Sequence, residues 1–348
     1  MKRLYILLLL VCFTTGSFGQ DNAREKDMAA YLMVYFKDET HSLYFALSRD
    51  GYSFTDINSG QPIVSGDSIA GQHGVRDPYL MRGNDGWFYM AATDLHIFAR
   101  QKGLRETEWE RDGKEFGWGN NRGLVLMKSR DLIHWSHTVV RVDKLFKGWE
   151  NMGCAWAPEL IFDEVKNKIM IYFTTRFGNG TNQMVYAYVN KDFTTLETEP
   201  QLLFQYPKIN KSAIDGDITK VGSGYHLFYV SHDGVPGIKQ AVSGSINTGY
   251  QYDDRWYDPE PKACEAPNVW KRIGENKWVL MYDIYGIQPN NFGFSETTDF
   301  KRFKDLGHFN EGVMKATNFS APKHGAVIWL TKKEARRLAD FWKLNMKY

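Results

Sequence analysis

Apolar positions along this chain fall in short runs instead of at helical spacing. Tyr31-Leu32-Met33-Val34-Tyr35-Phe36, Trp87-Phe88-Tyr89-Met90 and Lys277-Trp278-Val279-Leu280-Met281-Tyr282 are rich in β-branched and aromatic residues, and Gly, Asn and Asp separate such runs. This pattern predicts many short strands and an all-β fold. The end of the chain differs. Thr331-Lys332-Lys333-Glu334 reads as a capping box. Ala335, Leu338, Phe341 and Trp342 then give an apolar stripe at helical spacing, which predicts a short C-terminal helix packed on the outside.

The runs are self-similar. A strand motif recurs at Val75-Arg76-Asp77-Pro78-Tyr79-Leu80, Ala155-Trp156-Ala157-Pro158-Glu159-Leu160, Ala213-Ile214-Asp215-Gly216-Asp217-Ile218, Cys264-Glu265-Ala266-Pro267-Asn268-Val269 and, more degenerately, Lys323-His324-Gly325-Ala326-Val327. A second motif recurs out of phase with it: Ser48-Arg49-Asp50-Gly51-Tyr52, Ser129-Arg130-Asp131-Leu132, Asn190-Lys191-Asp192-Phe193 and Thr297-Thr298-Asp299-Phe300. It fits a sheet edge, where an Asp closes a turn on its own backbone under an aromatic lid. One inner and one outer strand motif per unit of roughly 50–80 residues describes a propeller blade, and five inner motifs predict five blades. The fifth inner strand lacks later strands of its own. The N-terminal hairpin, 30–36 with 42–47, is expected to supply them and close the ring.

The 348 residues begin with a secretory pattern: Lys2-Arg3, an apolar run from Leu4 to Phe13, and Ser17-Phe18-Gly19 before Gln20. The expected division is a signal peptide over 1–19 and a single five-bladed propeller domain over 20–348, exported to the periplasm or beyond the cell. The apolar run is too short for a permanent membrane span, and no later segment is longer, so no integral span is expected. A net charge of +2 gives no electrostatic reason to expect nucleic acid. Cys154 and Cys264 are too few for a disulfide framework and read as two small buried thiols. Aromatics reach 15% of the residues. They can pack pleated sheet surfaces, and they can stack on sugar rings; both readings apply to different residues.

The candidate chemistry lies in the repeats. Asp77, Asp215 and Glu265 stand near the start of three inner strands. An acid there is costly without a partner or a task. Each alone could initiate a turn, cap a loop or pair with a nearby lysine, but three on one repeated element point to one shared site. Arg76 would hold Asp77 ionised if it faces inward. Asp217 lies two residues from Asp215, on the same face of a regular strand, and competes with it. Between the first and second inner motifs, the polar stretch from Leu104 to Gly119 reads as a solvated loop or a cleft wall, and Trp118 between two glycines is its best ligand-facing candidate. Trp156 and Asp94 are further candidates for contacting substrate. The histidines show no zinc-ligand spacing.

These motifs, in their order, resemble glycoside hydrolase family 43, five-bladed β-propeller enzymes that cleave arabinofuranosides, xylosides and some galactosides. The resemblance runs through Arg76-Asp77-Pro78, Trp156-Ala157-Pro158-Glu159, Ile214-Asp215-Gly216-Asp217, Glu265-Ala266-Pro267-Asn268 and His324-Gly325. It implies that Asp77 is the general base, Glu265 the general acid, and Asp215 a helper that orients the acid and raises its pKa. It implies His324 as an axial histidine near a central water or a calcium ion; no cofactor is required, and a structural calcium is the candidate metal. An inverting mechanism needs its two carboxyls ~6.5–9.5 Å apart across the sugar. The expected function is an exported inverting exo α-L-arabinofuranosidase acting on oligosaccharides or polysaccharide side chains of plant cell walls. A β-xylosidase, exo-galactosidase or endo-arabinanase of the same family is the alternative among enzymes. A non-catalytic carbohydrate-binding propeller is the alternative outside them.

Overall fold

The computed structural model describes residues 24–104 and 111–346, so the leader over 1–19 and part of the polar stretch, including Glu106, Glu108 and Glu110, lie outside it. Five sheets form the five blades, antiparallel except for one short edge strand. Their inner strands are Val75–Arg82, Met152–Asp163, Ala213–Val221, Glu265–Lys271 and Lys323–Thr331, here blades one to five. Blades one to four are each built from four consecutive strands. In blade five, the inner strand pairs with Met28–Lys37, which pairs with Ser42–Ser48, and that with Ser53–Asp56. The chain's two ends therefore meet in one sheet, as expected. The short strand Lys315–Ala316, not legible in the sequence, runs parallel to Ser53–Asp56 and extends that blade.

Alternation builds the core. Leu32, Val34, Leu43 and Phe45 on the N-terminal strands are sealed from solvent and pack in one cluster with Leu80, Phe88 and Met90 of blade one. Each such side chain stabilises the fold by roughly 1.5–3 kcal/mol on burial. The terminal helix Lys332–Phe341 covers the joint, burying Ala335, Leu338 and Ala339. Thr331 and Glu334 form the capping box at its start. Glu334 also receives two hydrogen bonds from Arg82 of blade one, at 2.9 and 2.5 Å. The outer motif is a turn device: Asp50, Asp131 and Asp299 each accept two following backbone N–H groups.

A bulge in every inner strand positions the site. Asp77, Ala157, Asp215, Ala266 and His324 each sit at a break in the ladder with φ between 30° and 56°. A bulge inserts an extra residue and bends the strand. At three blade junctions, a side chain on one blade's second strand accepts the N–H of the next blade's bulge residue. Thr93 takes that of Ala157 at 2.8 Å, Thr174 that of Asp215 at 3.0 Å, and Asp283 that of His324 at 3.1 Å.

Candidate active site

Asp77, Asp215 and Glu265 line a single cavity of about 500 Å³, together with Arg76, Trp118 and Trp156. The bulges explain the convergence and correct the motif alignment. Asp77 and Asp215 are bulge residues, both with φ 51°, a conformation that Asp tolerates better than most side chains. In blade four the bulge residue is Ala266, and Glu265 precedes it, paired across the sheet with Asp283. Glu265 therefore enters the cavity from the position that Arg76 and Trp156 hold in blades one and two. The bulge also breaks the two-residue alternation in blade three. Ile214 pairs with Val230 and Asp217 with Phe228, so Asp215 is the inserted residue and does not share a face with Asp217. Asp217 is 1% exposed, accepts from the Val269 N–H and the Asn268 amide, and lies outside the cavity lining. It is structural.

The electrostatics separate the acids. Burial works to raise the Asp77 carboxyl, but His324, the Arg76 charge and the Thr93 hydroxyl outweigh it and hold it well below the usual carboxylate range. Thr93 donates to it at 2.8 Å, and His324 Nδ1 stands 3.4 Å away. Arg76 does face inward, and its guanidinium is fixed by Asp38 at 2.6 Å. Burial pushes Asp215 the other way, up to about 8, and the negative charges of Glu265 and Asp77 add to it against the opposing His324. One carboxyl is thus kept ionised at neutral pH while its neighbour keeps a proton.

The aromatic residues form the mouth. Trp118 is 68% exposed, edge-on to Trp156 at 6.0 Å between centroids. Gly117 and Gly119 have φ of 82° and 62°, and a Cβ on Gly117 would come within 2.7 Å of Arg176. The Trp118 carbonyl accepts from Arg176 at 2.7 Å, whose guanidinium lies over the Trp156 ring. A second hollow of about 720 Å³ adjoins the first over Leu95, Ile97 and Trp118.

Asp94 stands elsewhere. It is sealed from solvent, and its carboxylate accepts the N–H groups of Gly71 and Gln72, so it shapes a loop and does not line the cavity. His324 turns Nδ1 toward Asp77, and burial notwithstanding, the surrounding carboxylates raise its pKa. A ring held toward its cationic form fits a partner of Asp77 better than a ligand of calcium. Among the described residues, no group of three His, Cys, Asp or Glu side chains stands close enough together to hold a metal ion. Cys154 and Cys264 are buried free thiols.

Sequence reasoning missed Asp38, His232, Tyr285 and Lys323, which also line the cavity, and Asp283 behind them. Lys323 had a usable signal, since it precedes the bulge residue of blade five as Arg76 and Glu265 do in theirs. Asp38 had none; it lies in a turn and arrives through ring closure.

A family model described as "Probable glycosyl hydrolase domain", of the glycoside hydrolase 43-related type, matches residues 26–336. A curated relative, an alpha-L-arabinofuranosidase of Bifidobacterium longum subsp. longum, is 25% identical over 258 residues, 67% of this chain and 21% of that protein. The chain thus spans about a fifth of the curated relative it matches. A xylan beta-1,4-xylosidase of Bacillus halodurans superposes with a TM-score of 0.57 at 12% identity, covering 84% of this chain and 56% of that one. An endo-arabinase of Bacteroides thetaiotaomicron does so with a TM-score of 0.54 at 14% identity, covering 77% and 92%. At these identities the structural likeness is one of fold. The family match spans all five blades and every acid in the cavity, and the chain belongs to the glycoside hydrolase 43-related family.

Proposed function

We propose that this chain is an exported, inverting exo α-L-arabinofuranosidase acting on side chains of plant cell-wall polysaccharides. The observation that carries the reading is the single cavity shared by Asp77, Asp215 and Glu265, in which Asp77 is held well below the usual carboxylate range while Asp215 is pushed up to about 8. Asp77, kept ionised, takes a proton from water as the water attacks the anomeric carbon. Glu265 gives a proton to the departing glycosidic oxygen. Asp215 is the helper beside Glu265; pushed up to about 8, it is largely neutral at pH 7 and orients the acid as a neutral group, in place of the expected rise in the acid's pKa through like charge. One carboxylate and one acid on opposite sides of the sugar meet the needs of an inverting displacement. Trp118 and Trp156 offer apolar faces at the mouth, where a sugar ring can stack.

The choice of arabinofuranose is supported by the name of the curated relative. Export is supported by the leader pattern over 1–19. Family membership makes carbohydrate the expected partner, and among the described residues no helix is long and apolar enough to cross a membrane.

The test is sugar release from a panel of arabinofuranosides, xylosides and galactosides. Wild type is expected to release arabinose. Glu265→Gln and Asp77→Asn are each expected to lower kcat by about 10²-fold or more while the far-UV circular dichroism of the folded chain is kept. Release unaffected by either substitution contradicts the assigned roles. Release of xylose or galactose alone replaces the sugar and keeps the mechanism.

A further inference from the structure

We propose that Lys323 is a positioning residue for the proton donor Glu265, and that the buried Asp283 fastens it while also holding the strand that carries His324 against Asp77. The inference rests on the roles proposed above for Glu265 and Asp77.

Lys323 immediately precedes the bulge residue of blade five and lines the cavity. Its side chain is 7% exposed, with Nζ 3.2 Å from Glu265 Oε1, 3.7 Å from Asp283 Oδ2 and 3.8 Å from Asp38 Oδ2. Burial opposes its charge, but the carboxylates of Asp283, Glu265 and Asp38 outweigh burial and hold its pKa above the ordinary lysine range. The ammonium is therefore a fixed positive charge against the acid.

Asp283 makes sense only with that lysine. It is sealed from solvent, directly opposite Glu265 in the sheet, where like charges repel. Its Oδ1 has no hydrogen-bond partner among the described residues. Burial pushes it up to about 7 in spite of Lys323. The corresponding positions of blades one to three hold Thr93, Thr174 and Val230, opposite Arg76, Trp156 and Ile214. The two threonines accept the N–H of the next bulge residue without any charge. A threonine at 283 would serve His324 equally well. The carboxylate is the extra feature, and Lys323 is what it holds.

The arrangement connects both halves of the reaction. From Asp283, one path runs through Lys323 to Glu265. The other runs through the His324 N–H to an imidazole 3.4 Å from Asp77. When Glu265 gives its proton to the leaving oxygen, the new carboxylate forms against a charge already in place, so little has to reorganise.

The test uses the 4-nitrophenyl and methyl glycosides of the sugar released in the panel. Nitrophenolate departs with little protonation, whereas methoxide must be protonated as it leaves. Lys323→Met is expected to lose about tenfold more kcat on the methyl glycoside than on the nitrophenyl one, the signature of impaired proton donation. KM should move little, and Lys323→Arg should recover part of the difference. Asp283→Asn should lower kcat on both substrates, because it also loosens the His324 side. Equal losses for Lys323→Met on the two substrates, or no loss, overturn the inference. If Glu265→Gln is selective against the methyl glycoside and Lys323→Met is not, this inference alone falls. If Glu265→Gln shows no such selectivity, or wild type releases no sugar, the proposed function falls with it.

Discussion

Whether a carboxyl keeps its proton depends on what touches it, and the half-buried Asp77 and the buried Asp215, Asp217 and Asp283 show the range. Asp77 meets a hydroxyl, an imidazole and a guanidinium and stays ionised. Asp215, Asp217 and Asp283 are dominated by burial and rise to about 8, 7 and 7. Unfolded carboxyls titrate near ~4, so these three bind more protons in the folded chain. Their contribution to stability is fully present below about pH 4 and is lost as pH rises toward 8. Asp215→Asn should therefore raise the unfolding temperature at pH 8, with a gain that shrinks toward pH 4; a constant gain or a loss across that range contradicts it. For Asp215 alone the swing is on the order of a few kcal/mol. At this scale the sequence was informative about identity and blind to surroundings. Asp77, Asp215 and Glu265 stand out as acids on repeated strands. Nothing in the chain near Asp94 shows that its carboxylate is spent on two loop amides, and nothing near Asp38 shows that it meets Arg76.

At the scale of the strand, the bulge is the device that turns a repeat into a site. The recurrence of the inner motif was visible in the sequence, as were the outer turn and the helix cap. The bulge was not, because alternation assumes a regular strand and the inserted residue shows only in the pairing. That is why a two-residue period puts Asp217 on one face with Asp215, and why the repeat aligns Glu265 with Asp77. The bulge also predicts an unusual substitution. Ala157 sits at φ 45°, where a Cβ is strained. Glycine within a strand ordinarily costs about 0.5–1 kcal/mol relative to alanine. Ala157→Gly should here be neutral or stabilising in chemical denaturation. A loss of more than about 1 kcal/mol would mean that the left-handed backbone carries no strain.

Across the whole molecule, closure puts the acids in reach of one another. The strand Met28–Lys37 lies between the inner strand Lys323–Thr331 and Ser42–Ser48, and the terminal helix covers the joint with blade one. The two ends of the chain thus carry Asp38, Lys323 and His324 to the cavity that holds Asp77, Asp215 and Glu265. Most of the aromatic content is accounted for by blade packing: Tyr35, Tyr44, Tyr172, Tyr229 and Tyr282 are all sealed inside. Trp118 is the large exception at the cavity mouth. In the proposed mechanism these blades bring a base and an acid to opposite sides of one sugar. Proton NMR of the first product formed from an α-L-arabinofuranoside tests it most directly. β-L-arabinofuranose should appear before mutarotation, and Glu265→Gln should form none. An α-anomer appearing first would contradict that mechanism, as would hydrolysis undiminished in the variant.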